Sequence, residues 1–315
     1  MRVLITGGAG FIGSNLVEHL YNSCELIVLD NLSAGQGLLQ LPEGVKLIRG
    51  DFTDESILAK CLHGVDAVVH LAALSGVIDS IEDPQPSFKI NVIGSFQLLE
   101  LARAARVRRV INASTGGALL GEVKTPISES MTPSPLSPYG ASKLAVEGYC
   151  SAFAGAYGLP CTTLRFSNIY GPRSGHKKSV VAAFIKNLMR GEPLTVYGDG
   201  TQQRDYLYVG DLVRWIEIAL KRNIVGAYQL GSGRPTSLQE LIAVLRTVAS
   251  REFDVMYKPA RQGEVHATWC DISKATRELG SSAGTSLEEG VRRTWEWFRA
   301  NRERWEHVVA SSSSD

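Results

Sequence analysis

The sequence predicts an α/β fold, a doubly wound parallel sheet joined to a smaller, partly interleaved C-terminal α/β lobe. Three observations predict it. Short β-branched runs alternate with helical patterns through the first 170 residues. The runs are continuously apolar, as expected where helices cover both faces of a sheet. A glycine cluster, Gly7-Gly8-Ala9-Gly10-Phe11-Ile12-Gly13, falls between the first run and the first helical pattern.

Taken in order, strands are expected at Arg2–Thr6, Glu25–Asp30, Val45–Arg49, Ala67–Leu71, Arg109–Ala113 and Cys161–Phe166. Helices are expected at Ile12–Tyr21, Glu55–Leu62, Ser87–Ala105 and Tyr139–Tyr157. Beyond Tyr170 the pattern changes to a Gly/Pro loop, a helix Val180–Met189, a strand Leu194–Tyr197 and a turn Gly198-Asp199-Gly200. The chain is then expected to return to the sheet through Tyr206–Val209, a helix from Asp211, and Ala227–Leu230. A helix Ser237–Val248 belongs to the smaller lobe. The expected division is a cofactor domain of residues 1–170 and 203–230, a substrate lobe of 171–202 and 231–310, and a frayed tail at 311–315.

The 315 residues suffice for a sizeable core, with 44% hydrophobic and 21% charged residues typical of a soluble globular chain. A formal net charge of +1 argues against a dedicated nucleic-acid surface. The five cysteines are widely spaced with no CxxC pair, so neither a disulfide framework nor a metal site is expected. No apolar stretch has the length of a membrane span or a signal peptide, and a cytoplasmic enzyme is expected.

The glycines carry the first chemical signal. Gly7, Gly10 and Gly13 permit a tight turn and close approach of a pyrophosphate to the N-terminal residues Phe11 and Ile12 of a helix. Asp30 ends the next strand, placed to accept hydrogen bonds from both adenosine ribose hydroxyls, and its charge disfavours a 2′-phosphate. NAD is therefore expected, on a Rossmann-type sheet. The second signal is Tyr139-Gly140-Ala141-Ser142-Lys143, which puts Tyr139 and Lys143 on one helix face. A free phenol has a pKa of about 10 and is a poor base at neutral pH. A neighbouring ammonium favours its phenolate. The strand ending at Ala113 delivers the hydroxyls of Ser114 and Thr115 nearby.

These motifs resemble the extended short-chain dehydrogenase/reductases, specifically the nucleotide-sugar epimerases and dehydratases, over nearly the whole chain. The spacing Gly-x-x-Gly-x-x-Gly begins the resemblance, which continues through Asp51-Phe52, Leu71-Ala72-Ala73 and Asn91. It implies that these residues, with Asn31, hold the cofactor. It also implies that Thr115 binds the reacting oxygen with Tyr139 and Lys143, Ser114 being the alternative. On the substrate side it implies roles for Ser75, Asn168, Val196, Tyr197, Arg204, Arg261 and Glu264 around a UDP-sugar. Thr268 matches the position that gates room for an N-acetyl group, and its small side chain suits UDP-GlcNAc.

The reaction implied begins with oxidation at C4 of the sugar. Gly116 and Gly117 stand where 4,6-dehydratases carry an Asp-Glu pair, and Leu120 stands where 4-epimerases carry a tyrosine. The expected course is loss of water across C5 and C6 with hydride return, as in the tunicamycin-pathway UDP-GlcNAc 5,6-dehydratase type, with Glu122 or Tyr139 moving the proton. Epimerisation at C4 is the alternative, and an NAD-sensing regulator without turnover is a distant one. A homodimer through the two long helices is also implied.

Overall fold

A computed structural model describes residues 1–33, 41–260, 266–280 and 283–311. Seven parallel strands form the main sheet: β1 (Arg2–Thr6), β2 (Glu25–Asp30), β3 (Lys46–Arg49), β4 (Ala67–His70), β5 (Arg109–Thr115), β6 (Cys161–Phe166) and β7 (Gly226–Leu230). Their order is β7-β6-β5-β4-β1-β2-β3. The chain reverses direction across the sheet between β1 and β4. Such a switch point opens a crevice at the carboxyl ends of the strands.

Strand alternation divides the core in two. Val3 and Ile5 pack with helices Phe11–Leu20 and Val209–Lys221 on one face. Leu4, between them in sequence, packs with helices Glu55–Leu62, Ser95–Ala104 and Pro138–Tyr157 on the other. Local chemistry sets the helix ends. Asp54 Oδ1 accepts the amides of Ser56 at 2.9 Å and Ile57 at 3.1 Å, capping the Glu55–Leu62 helix. Ser137 caps the Pro138–Tyr157 helix with a 3.1 Å bond from the Gly140 amide, and proline occupies its first turn. That helix stops at Gly158, in the left-handed conformation.

Three expectations need correction. The segment expected as one helix, Ser87–Ala105, is a π-helix over Ser87–Gly94 that passes into an α-helix over Ser95–Ala104. The wider turn contains Asn91, whose side chain is bonded across to Leu74 in the loop after β4 and to Ser142 of the Pro138–Tyr157 helix. Second, Tyr206–Tyr208 does not join the main sheet but pairs with Asn168–Tyr170 in a separate two-stranded parallel ladder. Of the returning segments only Gly226–Leu230 adds to the sheet, at its edge beside β6. Third, the helix expected from Asp211 begins at Val209.

Two further small sheets follow. Leu194–Tyr197 pairs with Val255–Lys258, and Gln203–Arg204 lies between Thr236–Ser237 and Ala267–Thr268. All five cysteines are free and four are buried. Among the described residues no helix is long and apolar enough to cross a membrane, and no cluster of ligating side chains could hold a metal ion. The tail from 312 to 315 lies outside the described residues.

Candidate active site

The glycine turn is built from close backbone contacts. Gly7 has φ of +70°, and a Cβ there would lie 2.7 Å from the Ala72 amide nitrogen. A Cβ on Gly13 would lie 2.2 Å from the Gly7 carbonyl oxygen. Only hydrogen fits at either position. The helix that follows, Phe11–Leu20, has no side-chain cap, so its first amides remain available to an anion. Gly7, Gly10, Asp30, Asn31, Asp51, Phe52, Leu71, Ala72 and Ala73 line one cleft of about 140 Å³ at this turn, with Ser33, Gly50, Leu74 and Ile90.

Asp30 is tied to the turn it faces. Its Oδ2 accepts the Ala9 amide at 2.9 Å and its Oδ1 the Leu32 amide at 2.8 Å. Each oxygen retains acceptor capacity for a ribose hydroxyl. At Asp51, partial burial opposes ionisation but is outweighed by the Thr53 amide and hydroxyl and the Asn31 amide, which hold the carboxyl below its ordinary pKa. The cradle that glycine leaves open, the uncapped helix and the anchored carboxylate together fit a dinucleotide.

Asn91 has a different position from the one expected. It is buried, and its amide is committed to protein partners: Oδ1 accepts the Leu74 amide, while Nδ2 donates to the Leu74 carbonyl and to Ser142 Oγ. It holds the cleft wall against the Tyr139 helix and does not line the cleft itself. Phe11 is likewise buried, leaving only its backbone for a phosphate contact.

Tyr139 sits in the first turn of its helix, its amide donating to Ser80 Oγ at 3.1 Å. One turn on, Lys143 is buried and its Nζ donates to the Ala113 carbonyl at 3.0 Å. Burial pushes the Tyr139 phenol up to about 12. Burial also pulls the Lys143 ammonium down to about 8, against the opposing influence of Cys150 and Glu147. At neutral pH without cofactor the pair is therefore a neutral phenol beside an ammonium. Strand alternation separates the two candidate hydroxyls. Ser114 points to the helix side and donates to Glu147 Oε1 at 2.6 Å, whereas Thr115 opens into the cavity that Tyr139 lines.

That cavity, of about 560 Å³, brings Thr115, Tyr139, Asn168, Arg204 and Thr268 together, with Phe166, Ser167, Asp205 and Cys270. An adjoining cavity of about 240 Å³ shares Asn168 and Arg204 and adds Ser179, Gln202, Tyr206 and Leu238. Five expected positions fall elsewhere. Glu122 is exposed and off the wall, because the chain turns away at Gly121, φ +70°. Ser75 is exposed, and Val77 and Ile81 of the next helix take the wall instead. Val196 is a fully buried core residue on a strand paired with Tyr257. Leu120 is also fully buried, among Leu119, Ile127 and Cys270, so it replaces no polar wall of the cavity. Tyr197 is half-buried and lines neither cavity. Arg261 and Glu264 lie outside the described residues.

Sequence reasoning missed Asp205, which is buried and lines the cavity. Its carboxylate accepts the Ser232 amide and hydroxyl, at 2.6 and 2.8 Å, and the amides of Gly233 and Cys270. An acid following the signalled Arg204 was its only trace in the sequence. Ser167 lines the same cavity with a buried hydroxyl that has no hydrogen-bond partner among the described residues.

A Gly-rich turn at a sheet switch point and a Tyr–Lys pair whose lysine is buried define an α/β enzyme that binds NAD as its cofactor. The chain belongs to the NAD-dependent epimerase/dehydratase family, whose model matches residues 3–231. It is 36% identical over 306 residues to a putative UDP-glucose 4-epimerase of Methanocaldococcus jannaschii, covering 95% of this chain and 99% of the other. The structure of a UDP-glucose 4-epimerase from Thermotoga maritima with UDP-glucose superposes with a TM-score of 0.91 at 39% identity, covering 96% and 100% of the two chains. A Thermus thermophilus UDP-glucose 4-epimerase in complex with NAD gives 0.88 at 37% identity, covering 95% and 99%.

Proposed function

We propose that the protein oxidises C4 of a UDP-hexose, in the cytoplasm, and restores it with inverted configuration, as a 4-epimerase. The observation that carries this reading is the composition of the cavity around Tyr139. Thr115 is its one hydroxyl from the preceding strand, and among the described residues the only carboxylate on its wall is Asp205, already committed to four donors. Oxidation and return at one carbon needs a single proton acceptor that works in both directions, and Tyr139 supplies it. Bound NAD accepts and returns the hydride. Thr115 orients the sugar oxygen, Lys143 favours the phenolate, and Asn168 and Arg204 hold the diphosphate side. The phenol pKa of about 12 falls toward neutrality only when positive charge gathers beside it.

A second reading is elimination of water across C5 and C6 of UDP-GlcNAc, starting from the same 4-ketone. Favouring it are the small side chain of Thr268 and the apolar wall of Gly117, Ala118 and Gly121. That wall offers no polar group to grip a rotating ketone. With Glu122 off the wall, Tyr139 or a water held by Ser167 would have to move the C5 and C6 protons. Mass spectrometry of the product from UDP-Glc and UDP-GlcNAc separates the two. Unchanged mass with a new C4 configuration is the expected result, and loss of water would replace epimerisation with dehydration. In parallel, Tyr139→Phe is expected to keep NAD but abolish C4 oxidation. Full activity in that variant, or unaltered NAD absorbance with every UDP-sugar, would sink both readings in favour of a regulator.

Two organisational readings accompany this. Residues 1–170 with 203–230 serve the cofactor, and 171–202 with 231–310 serve the substrate. A second copy of the chain covers the exposed Phe88, Ile93, Phe96, Tyr149 and Tyr157, which share the two long helices. Light scattering showing a monomer at micromolar concentration would refute the dimer.

A further inference from the structure

Behind the Tyr139–Lys143 pair lies a buried ion pair that the proposed chemistry does not use. Glu147 follows Lys143 by one helical turn. Its carboxylate receives Arg165 Nε at 3.0 and 3.2 Å, Arg165 Nη2 at 2.7 Å and Ser114 Oγ at 2.6 Å. The Arg165 and Glu147 side chains are 7% and 9% exposed. Ser114 and Arg165 are register partners on β5 and β6, so one carboxylate spans both strands.

The location decides what this arrangement can do. The next residue after Ser114 is Thr115, and β6 ends one residue past Arg165, where the chain continues to Ser167 and Asn168, which line the sugar cavity. Glu147 therefore bolts the helix carrying Tyr139 and Lys143 to the ends of the two strands that deliver the cavity's polar groups. A buried ion pair is weak evidence for stability, because desolvating both charges offsets their attraction. An apolar pair of similar volume would hold the layers together equally well. A fixed carboxylate near Lys143 does something an apolar pair cannot: it opposes loss of the ammonium proton. The other groups around that ammonium are Tyr139 and Cys150 on the same helix, His70 on β4, and the Ala113 carbonyl. Of these, His70 is neutral and the buried Cys150 thiol is held well above its ordinary pKa. Glu147 is thus the fixed negative charge among them.

We propose that Glu147, clamped by Arg165 and Ser114, is a positioning residue that sets the Tyr139–Thr115 geometry and keeps Lys143 protonated during catalysis. This rests on the roles proposed above for Tyr139, Lys143 and Thr115. Glu147→Gln alone strands the Arg165 charge and risks misfolding, so the main variant is Glu147→Gln with Arg165→Met, which removes both charges together. Ser114→Ala removes only the strand-side arm.

In the NAD-loaded enzyme, the double variant is expected to lose about tenfold or more in kcat with little change in KM for the UDP-sugar. The alkaline limb of its pH–rate profile should move down by about one unit, as Lys143 gives up its proton more easily. Ser114→Ala should lower kcat without moving the limb. A double variant with a lowered melting temperature but the parental kcat and limb would reduce the clamp to a structural tie and overturn the proposal. Should the double variant not fold, Ser114→Ala decides: kcat lowered at constant KM supports the clamp, and an unchanged kcat overturns it. Tyr139→Phe, measured alongside, isolates the underlying reading. If it stays active the catalytic assignment fails, whereas if it is dead and the clamp variants are normal, only this inference fails.

Discussion

Asn91 Nδ2 donates to Ser142 Oγ at 3.0 Å, joining the π-helical turn below the cofactor cleft to the helix that carries Tyr139 and Lys143. The same amide also grips both backbone groups of Leu74 on the cleft wall. Asn91→Asp turns a donor into a carboxylate oxygen facing a carbonyl, and should cost about 1–3 kcal/mol of stability by leaving buried groups unpaired. Urea unfolding measures this. A fall in NAD affinity with unchanged stability would instead indicate direct cofactor contact.

Gly13→Ala places a methyl 2.2 Å from the Gly7 carbonyl, against backbone that cannot yield cheaply. A destabilisation of about 1–3 kcal/mol is expected, together with loss of co-purifying NAD, because the turn and the helix N-terminus must separate. Thermal melting and the NAD content of the purified protein report the two effects. Normal NAD occupancy would show that the turn is not the pyrophosphate cradle.

His70 lies between Thr6 Oγ1 at 2.7 Å and Ser95 Oγ at 2.9 Å, and burial, aided by the Lys143 charge, pushes its pKa down to about 3. Between that value and the ordinary 6.5, the unfolded chain binds a proton there that the native protein refuses. Native stability should therefore fall as pH drops below 6.5. In His70→Asn the stability–pH slope in that window should be shallower. Imidazole nitrogen shifts that titrate near pH 6.5 in the folded protein would contradict this.

Thr268 Cγ2 would lie 3.1 Å from a Cβ on Gly117, so these two residues face each other closely at the cavity. Thr268→Tyr should fill the space beside them. The ratio of kcat/KM for UDP-GlcNAc to that for UDP-Glc should then fall by roughly tenfold or more. An unchanged ratio would remove Thr268 from the specificity of the site.

Local chemistry made much of this protein legible before folding. Continuous apolar strands, a Ser-Pro cap before Tyr139, and glycines that tolerate no Cβ each act within a few residues, so strand limits, the catalytic helix and the cofactor turn could be read in line. The i, i+4 spacing of Tyr139 and Lys143 is likewise local. Tertiary structure alone decided which side chains share the cavity. Alternation sends Ser114 to Glu147 and Thr115 to Tyr139, but only the sheet and helix together say which side is which. A positive φ at Gly121 carries Glu122 away, pairing with Tyr257 buries Val196, and a π-helical turn commits Asn91 to protein partners. The pairings of Ser114, Val196 and Asn91 depend on contacts between residues well separated in the chain, and no spacing along it encodes their direction. Local patterns along the chain are enough for an NAD-binding fold with a Tyr–Lys pair; packing sets which hydroxyl, which carboxylate and which wall line the cavity.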